Sequence, residues 1–272
     1  MPQTIHFETL AKSGYVARGV VFLLISGLAL FSGVAGENSD SKSALTTLLE
    51  QPFGRIWVGL IGLGLFGFVA WRLAQSLLDS DGHGSKARGR ITRAALFASA
   101  VTYFILAVYA LGHAVGMGSG TGGSGERSAA EWIMSQPFGP YIAIAVGLGF
   151  VVGGGITAAK GILRKFERYL HVPARQTVTT WICVYGLVAR GVVFATTGLL
   201  FIYAGIEVDA NQAGSMADAL QWLRRLPFGS VIYVLIAAGL AAFGIYNLIE
   251  ARYRIVRGPD LSEMKDALPK LP

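Results

Sequence analysis

The 272-residue chain is 53% hydrophobic and 14% charged, with a mean hydropathy of +0.53. That composition excludes an ordinary water-soluble domain and a disordered chain, and places the protein in the membrane class. The net charge of +7 would suit a nucleic-acid binder, but its distribution along the chain argues otherwise.

Six apolar runs meet the requirement of roughly 20 residues per bilayer crossing. In chain order they are 14–33, 54–78, 91–115, 140–162, 182–205 and 230–252. The first lacks a small-residue cleavage pattern and is copied later in the chain, which argues against a cleaved signal peptide. Placing both termini and the loops after the second and fourth runs on one side gives that side 18 of the 23 Lys and Arg residues. Acidic residues split eight and eight, so the bias is one of Lys and Arg alone. The positive-inside rule then predicts cytoplasmic termini. Such basic loops suit anionic lipid headgroups better than nucleic acid, which is not expected as a partner.

Val16-Ala-Arg-Gly-Val-Val-Phe22 returns unchanged as Val188-Ala-Arg-Gly-Val-Val-Phe194, and Pro-Phe-Gly occurs at 52–54, 137–139 and 227–229. A period this long marks a repeated structural module. The chain reads as one all-α membrane domain over 1–272, with units 14–78, 88–162 and 182–254, a segment 1–13 and a tail 255–272. Each unit starts its first helix with an arginine at the inner face: Arg18, Arg93 and Arg190. Each then carries a short amphipathic pattern opened by Ser43, Ser128 or Ser215, with Glu131 and Asp218 at capping-box spacing. These short helices are expected to lie flat at the outer interface.

Pro52-Phe53-Gly54, Pro137-Phe138-Gly139 and Pro227-Phe228-Gly229 follow as structural corners. Proline ends the short helix, glycine permits the reversal, and the phenylalanine anchors the corner among helix ends. The second helix of each unit is rich in Gly and Ala, which predicts close packing inside the bundle or against partner helices. The three units share one orientation, so an axis along the membrane normal, a pseudo-threefold, should relate them.

At these residues the chain resembles a family of bacterial membrane proteins known as domain of unknown function 1206. The resemblance rests on Tyr15 to Phe22, Gln51 to Gly54, Gln136 to Gly139 and Val188 to Phe194, and extends through their spacing to nearly the whole chain. Unit two departs with Arg93-Ala, and unit three with Leu226 before its proline. The resemblance implies the architecture, and no activity, substrate or catalytic residue.

Arg18, Arg93 and Arg190, with Arg72 and Lys160 near the ends of second helices, form the candidate anion or lipid-headgroup site. The simpler reading is interfacial anchoring, with the long side chains snorkelling to headgroups. Glu250 is placed one turn from Arg254, an arrangement commonly found as a surface pair. No acidic or basic residue falls near the middle of a span, which disfavours an ion-driven pump. Ser26, Ser99, Thr102, Tyr103, Thr196 and Thr197 are the polar mid-span groups, each able to bond back to its own helix. His6, His83, His113, His171 and the lone Cys183 are scattered, so neither a metal site, a cofactor site nor a disulfide is expected. Gly120-Thr-Gly-Gly-Ser-Gly lacks the ending of a phosphate loop. The expectation is a non-enzymatic scaffold or accessory subunit that binds lipid or a membrane protein partner. The alternative is a passive anion transporter or channel along the axis.

Overall fold

The computed structural model describes residues 2–32, 47–50, 52–82, 84, 86–117, 135, 138–170, 177–209 and 216–255. Among them the long helices are α1 (Pro2–Ser32), α2 (Gly54–Leu77), α3 (Ala87–Ala114), α4 (Gly139–Ile162), α5 (Thr177–Glu207) and α7 (Gly229–Tyr253). All six contain a stretch long and apolar enough to cross a membrane. A nine-residue helix, α6 (Met216–Arg224), precedes α7. The helix α1 starts well before the apolar run predicted from residue 14, so the segment 1–13 is largely helical. Apolarity marks only the part of a helix suited to the bilayer, and a helix continues beyond it until something stops it.

Extensive packing joins α1 to α2, α2 to α3, α1 to α7, α5 to α7, and α4 to α5. Followed from neighbour to neighbour, the series runs α3, α2, α1, α7, α5, α4. Its end members α3 and α4 are the least buried of the six. Of the second helices, α2 and α7 therefore lie within the series, and α4 packs against a partner helix at its edge. The glycines of α4 that meet a neighbour engage α5 alone, at Gly147, Gly154 and Gly161.

Close approach explains the small residues elsewhere. A Cβ on Gly14 would stand 2.3 Å from the Phe68 backbone nitrogen, and one on Gly186 would stand 2.4 Å from that of Phe243. Each glycine thus lets the first helix of a hairpin rest on the backbone of the second. The polar mid-span side chains Ser26, Thr102 and Thr196 bond to carbonyls of their own helices at 2.9–3.1 Å.

Helices α2, α4 and α7 are entered through Phe53, Phe138 and Phe228, whose φ angles of 59°, 64° and 59° lie in the left-handed region. The positive φ falls on these phenylalanines, and the three residues are 76%, 76% and 86% exposed rather than packed among helix ends. Gly54 serves by lacking a side chain, since a Cβ there would stand 2.3 Å from the carbonyl oxygen of Leu48. Of the short outer helices, Leu48 and Leu49 in the helical turn at 47–49 are half-buried, and α6 buries Ala219, Leu220 and Leu223. Ser43, Ser128 and Ser215, the whole unit-two pattern through Met134, and Pro137 lie outside the described residues.

Candidate functional site

The end of the bundle that gathers the start of α1 and the ends of α2 and α7 contains most of the buried charge. Arg18 lies one turn beyond Gly14 on α1 and is 2% exposed. Its guanidinium carbon sits 4.9 Å from the ring centre of Phe68, 5.0 Å from Phe243 and 5.2 Å from Tyr103. Its Nε donates to Tyr103 Oη at 2.7 Å. Its Nη2 is buried and has no hydrogen-bond partner among the described residues.

Arg190, the copy of Arg18 on α5, shares the Phe243 ring with it, and also that of Phe22, which stands 5.9 Å from the Arg18 guanidinium carbon. Its guanidinium carbon is 4.7 Å from Phe243, 5.9 Å from Phe22 and 4.4 Å from Phe194, and its buried Nε also lacks a partner. Arg72 on α2 reaches the Phe68 ring at 4.8 Å and donates from Nη1 to Gln75 Oε1 at 3.0 Å. Its Nε is likewise unpartnered. Three guanidinium groups thus surround Phe22, Phe68 and Phe243, with Phe22 and Phe243 meeting edge to face at 4.7 Å. Ring faces attract cations, each contact contributing about 0.5–2 kcal/mol. That is small against the several kcal/mol per ion needed to remove charge from water.

Among the described residues no carboxylate bonds any of these three arginines. The two acidic groups near them are engaged elsewhere. Glu250 on α7 and Asp81 in the α2–α3 loop both bond Arg254, Asp81 at 3.1 Å. Arg254 is 8% exposed, with the rings of Tyr15, Tyr169 and Trp71 at 5.3, 5.1 and 5.7 Å. Trp71 in turn donates from Nε1 to Tyr15 Oη at 3.0 Å. Burial alone would lower the Arg254 pKa, but Tyr15, Glu250 and Asp81 outweigh it and hold the pKa above the ordinary arginine value. The expected surface pair of Glu250 and Arg254 is therefore a buried clasp joining α7 to the α2–α3 loop.

Of the five residues singled out in the sequence, Arg18, Arg72 and Arg190 come together, and Arg93 does not join them. Arg93 donates from Nε to Ser76 O at 2.6 Å and from Nη2 to Leu77 O at 2.8 Å, closing the carbonyl end of α2. A cation is favourable at that helix end for the reason that carbonyls there lack helical partners. Lys160 is exposed on α4 and lies within electrostatic reach of Arg72, Arg190 and Glu250. Sequence reasoning missed the aromatic lining and the part played by Asp81. One signal existed: Phe68 and Phe243 stand at the same distance beyond Gly54 and Gly229.

The family model described as Domain of Unknown Function (DUF1206) matches residues 13–79, 94–164 and 185–254. The chain belongs to that family. It is also 31% identical over 250 residues to an uncharacterized protein, YxxB, of Bacillus subtilis (strain 168), covering 89% of this chain and 90% of the relative. No solved structure matches. Membership of the family agrees with six apolar helices and names no activity, so the chemistry rests on the arginines.

Proposed function

We propose that this protein is a non-enzymatic membrane scaffold or accessory subunit that holds the anionic headgroup of a lipid at Arg18, Arg72 and Arg190. The observation that carries the reading is the buried Arg18 Nη2, a charged donor with no acceptor among the described residues. Buried donors are rarely left unmade, and a phosphate oxygen matches a guanidinium in charge and geometry.

Access favours a lipid. Tyr103 on α3 touches Arg18, and Lys160 on α4 is within reach of Arg72 and Arg190, yet α3 and α4 do not pack extensively on each other. A headgroup can approach between them with its acyl chains still in the bilayer. Passage along the axis is less well supported. Val21, Ile25, Ala29, Val58, Ile61, Leu65, Val193 and Leu240 fill the interior with apolar side chains.

The same contacts support a cyclic three-unit plan. Helices α2, α4 and α7 pack on the first helix of the following unit, namely α3, α5 and α1. Phe53, Phe138 and Phe228 supply equivalent left-handed entries, which suits a corner repeated in each unit. In this plan Gly62 faces Leu111 as Gly147 faces Ile202, so Ser99, rather than Arg93, takes the place of Arg18 and Arg190 in unit two. The Lys and Arg asymmetry assigns the arginine end to the cytoplasmic leaflet of a bacterial inner membrane.

The test is native mass spectrometry of protein released gently from its own membrane. Wild type is expected to retain one anionic phospholipid, and R18Q/R190Q is expected to lose it while eluting as a folded species. Equal retention by both proteins would remove the arginines from the function.

A further inference from the structure

The backbone at Arg254 differs from its counterparts. The chain leaves α2 and α4 through left-handed residues, Asp79 and Arg164, but leaves α7 through an extended Arg254 at φ −70° and ψ 134°. Arg254 pairs there with Leu170 as an isolated antiparallel bridge, and the Ile255 amide donates to Tyr169 O at 2.9 Å. This fixes the side chain under the bundle, where its two terminal nitrogens reach one carboxylate each, Nη1 to Glu250 and Nη2 to Asp81, while Nε has no partner among the described residues.

Both carboxylates are close enough to the arginine cluster to matter. Asp81 accepts from Gln75 Nε2 at 2.6 Å, and Gln75 accepts from Arg72. Glu250 is within electrostatic reach of Arg72 and Lys160. Released from Arg254, either would be drawn to the uncompensated cations, since opposite charges several ångströms apart attract strongly in a poorly screened interior. An arginine suits the task better than a lysine, because its planar fork holds two acceptors in fixed directions.

We infer that Arg254 is a specificity-determining residue that sequesters Glu250 and Asp81, keeping Arg18, Arg72 and Arg190 free to bind an anionic headgroup. This rests on the reading that the cluster binds such a headgroup. Arg254 itself does not touch the ligand; it acts by withholding the competing internal anions. The chain therefore separates one arginine that consumes carboxylates from three that are spared them.

The experiment titrates detergent-solubilised full-length protein with short-chain phosphatidylglycerol, using phosphatidylcholine of equal chain length as control, and counts bound lipid by native mass spectrometry. Wild type is expected to prefer phosphatidylglycerol. R254Q should lose that preference by on the order of tenfold, with phosphatidylcholine unchanged, and R254Q/E250Q should recover most of it. R254K keeps a charge but not the fork, so it provides a second variant if R254Q does not fold. It is expected to lose part of the preference and to regain it with E250Q. Preference kept in R254Q or R254K, or loss without rescue by E250Q, would overturn the role of Arg254 alone. No preference in wild type would overturn the headgroup reading and this inference together.

Discussion

Arg254 and Arg18 are both buried and both framed by aromatic rings, yet they are arranged for opposite purposes. Arg254 meets two carboxylates and three rings contributed by three separate stretches of chain. Arg18 meets four rings and one phenol, and no carboxylate. The first is an internally neutralised clasp, in which removing one charge strands the others. The second has no carboxylate partner among the described residues, and on the proposed reading its countercharge is the lipid headgroup. Burial alone therefore does not distinguish a structural arginine from a binding one; the location of the countercharge does.

The largest expected effect tests that difference directly. R254Q leaves Glu250 and Asp81 without their cation, and breaking a buried pair in this way costs about 3–5 kcal/mol. Thermal unfolding in detergent should show a pronounced loss. R18M in lipid-stripped protein should instead match or exceed wild type, because it replaces an uncompensated charge with an apolar side chain of similar length. Comparable destabilisation by both variants would break the comparison. A smaller effect is expected from W71F, which deletes the indole N–H donated to the buried Tyr15 hydroxyl beneath Arg254. The loss should be about 1–2 kcal/mol, and added phosphatidylglycerol should raise the midpoints of W71F and wild type equally. Any change in that lipid-induced increment would mean that the clasp and the cluster are not separable.

What was legible in the sequence follows from what repeats and what does not. The Arg18 and Arg190 copies, the six spans and the small-residue faces are local patterns, and each has a direct physical reading. The clasp joins Asp81 to Arg254 across most of the chain, so the one-turn spacing of Glu250 and Arg254 shows half of it and nothing local points to Asp81. Arg93 misled because it precedes apolar residues as Arg18 does, although in the helix it faces the carbonyls ending α2. The Pro-Phe-Gly triplets misled more subtly. Glycine is the residue that tolerates a positive φ most readily, but at Gly54 and Gly229 its missing side chain is needed against carbonyls of the preceding short helix, and the positive φ falls on the phenylalanine before it.

The smallest expected effect separates the two arginines most finely. Y103F removes the acceptor of Arg18 Nε while retaining a ring for the guanidinium to face. In lipid-stripped protein the newly unmet donor should cost about 1 kcal/mol. With phosphatidylglycerol present the same donor is offered to the headgroup, so affinity should hold within about threefold of wild type, a difference under 1 kcal/mol. Destabilisation that lipid relieves is the signature of an arginine completed by a ligand. If lipid leaves the Y103F deficit unchanged, Tyr103 is the natural partner of Arg18 and the cluster is structural, like the clasp below it.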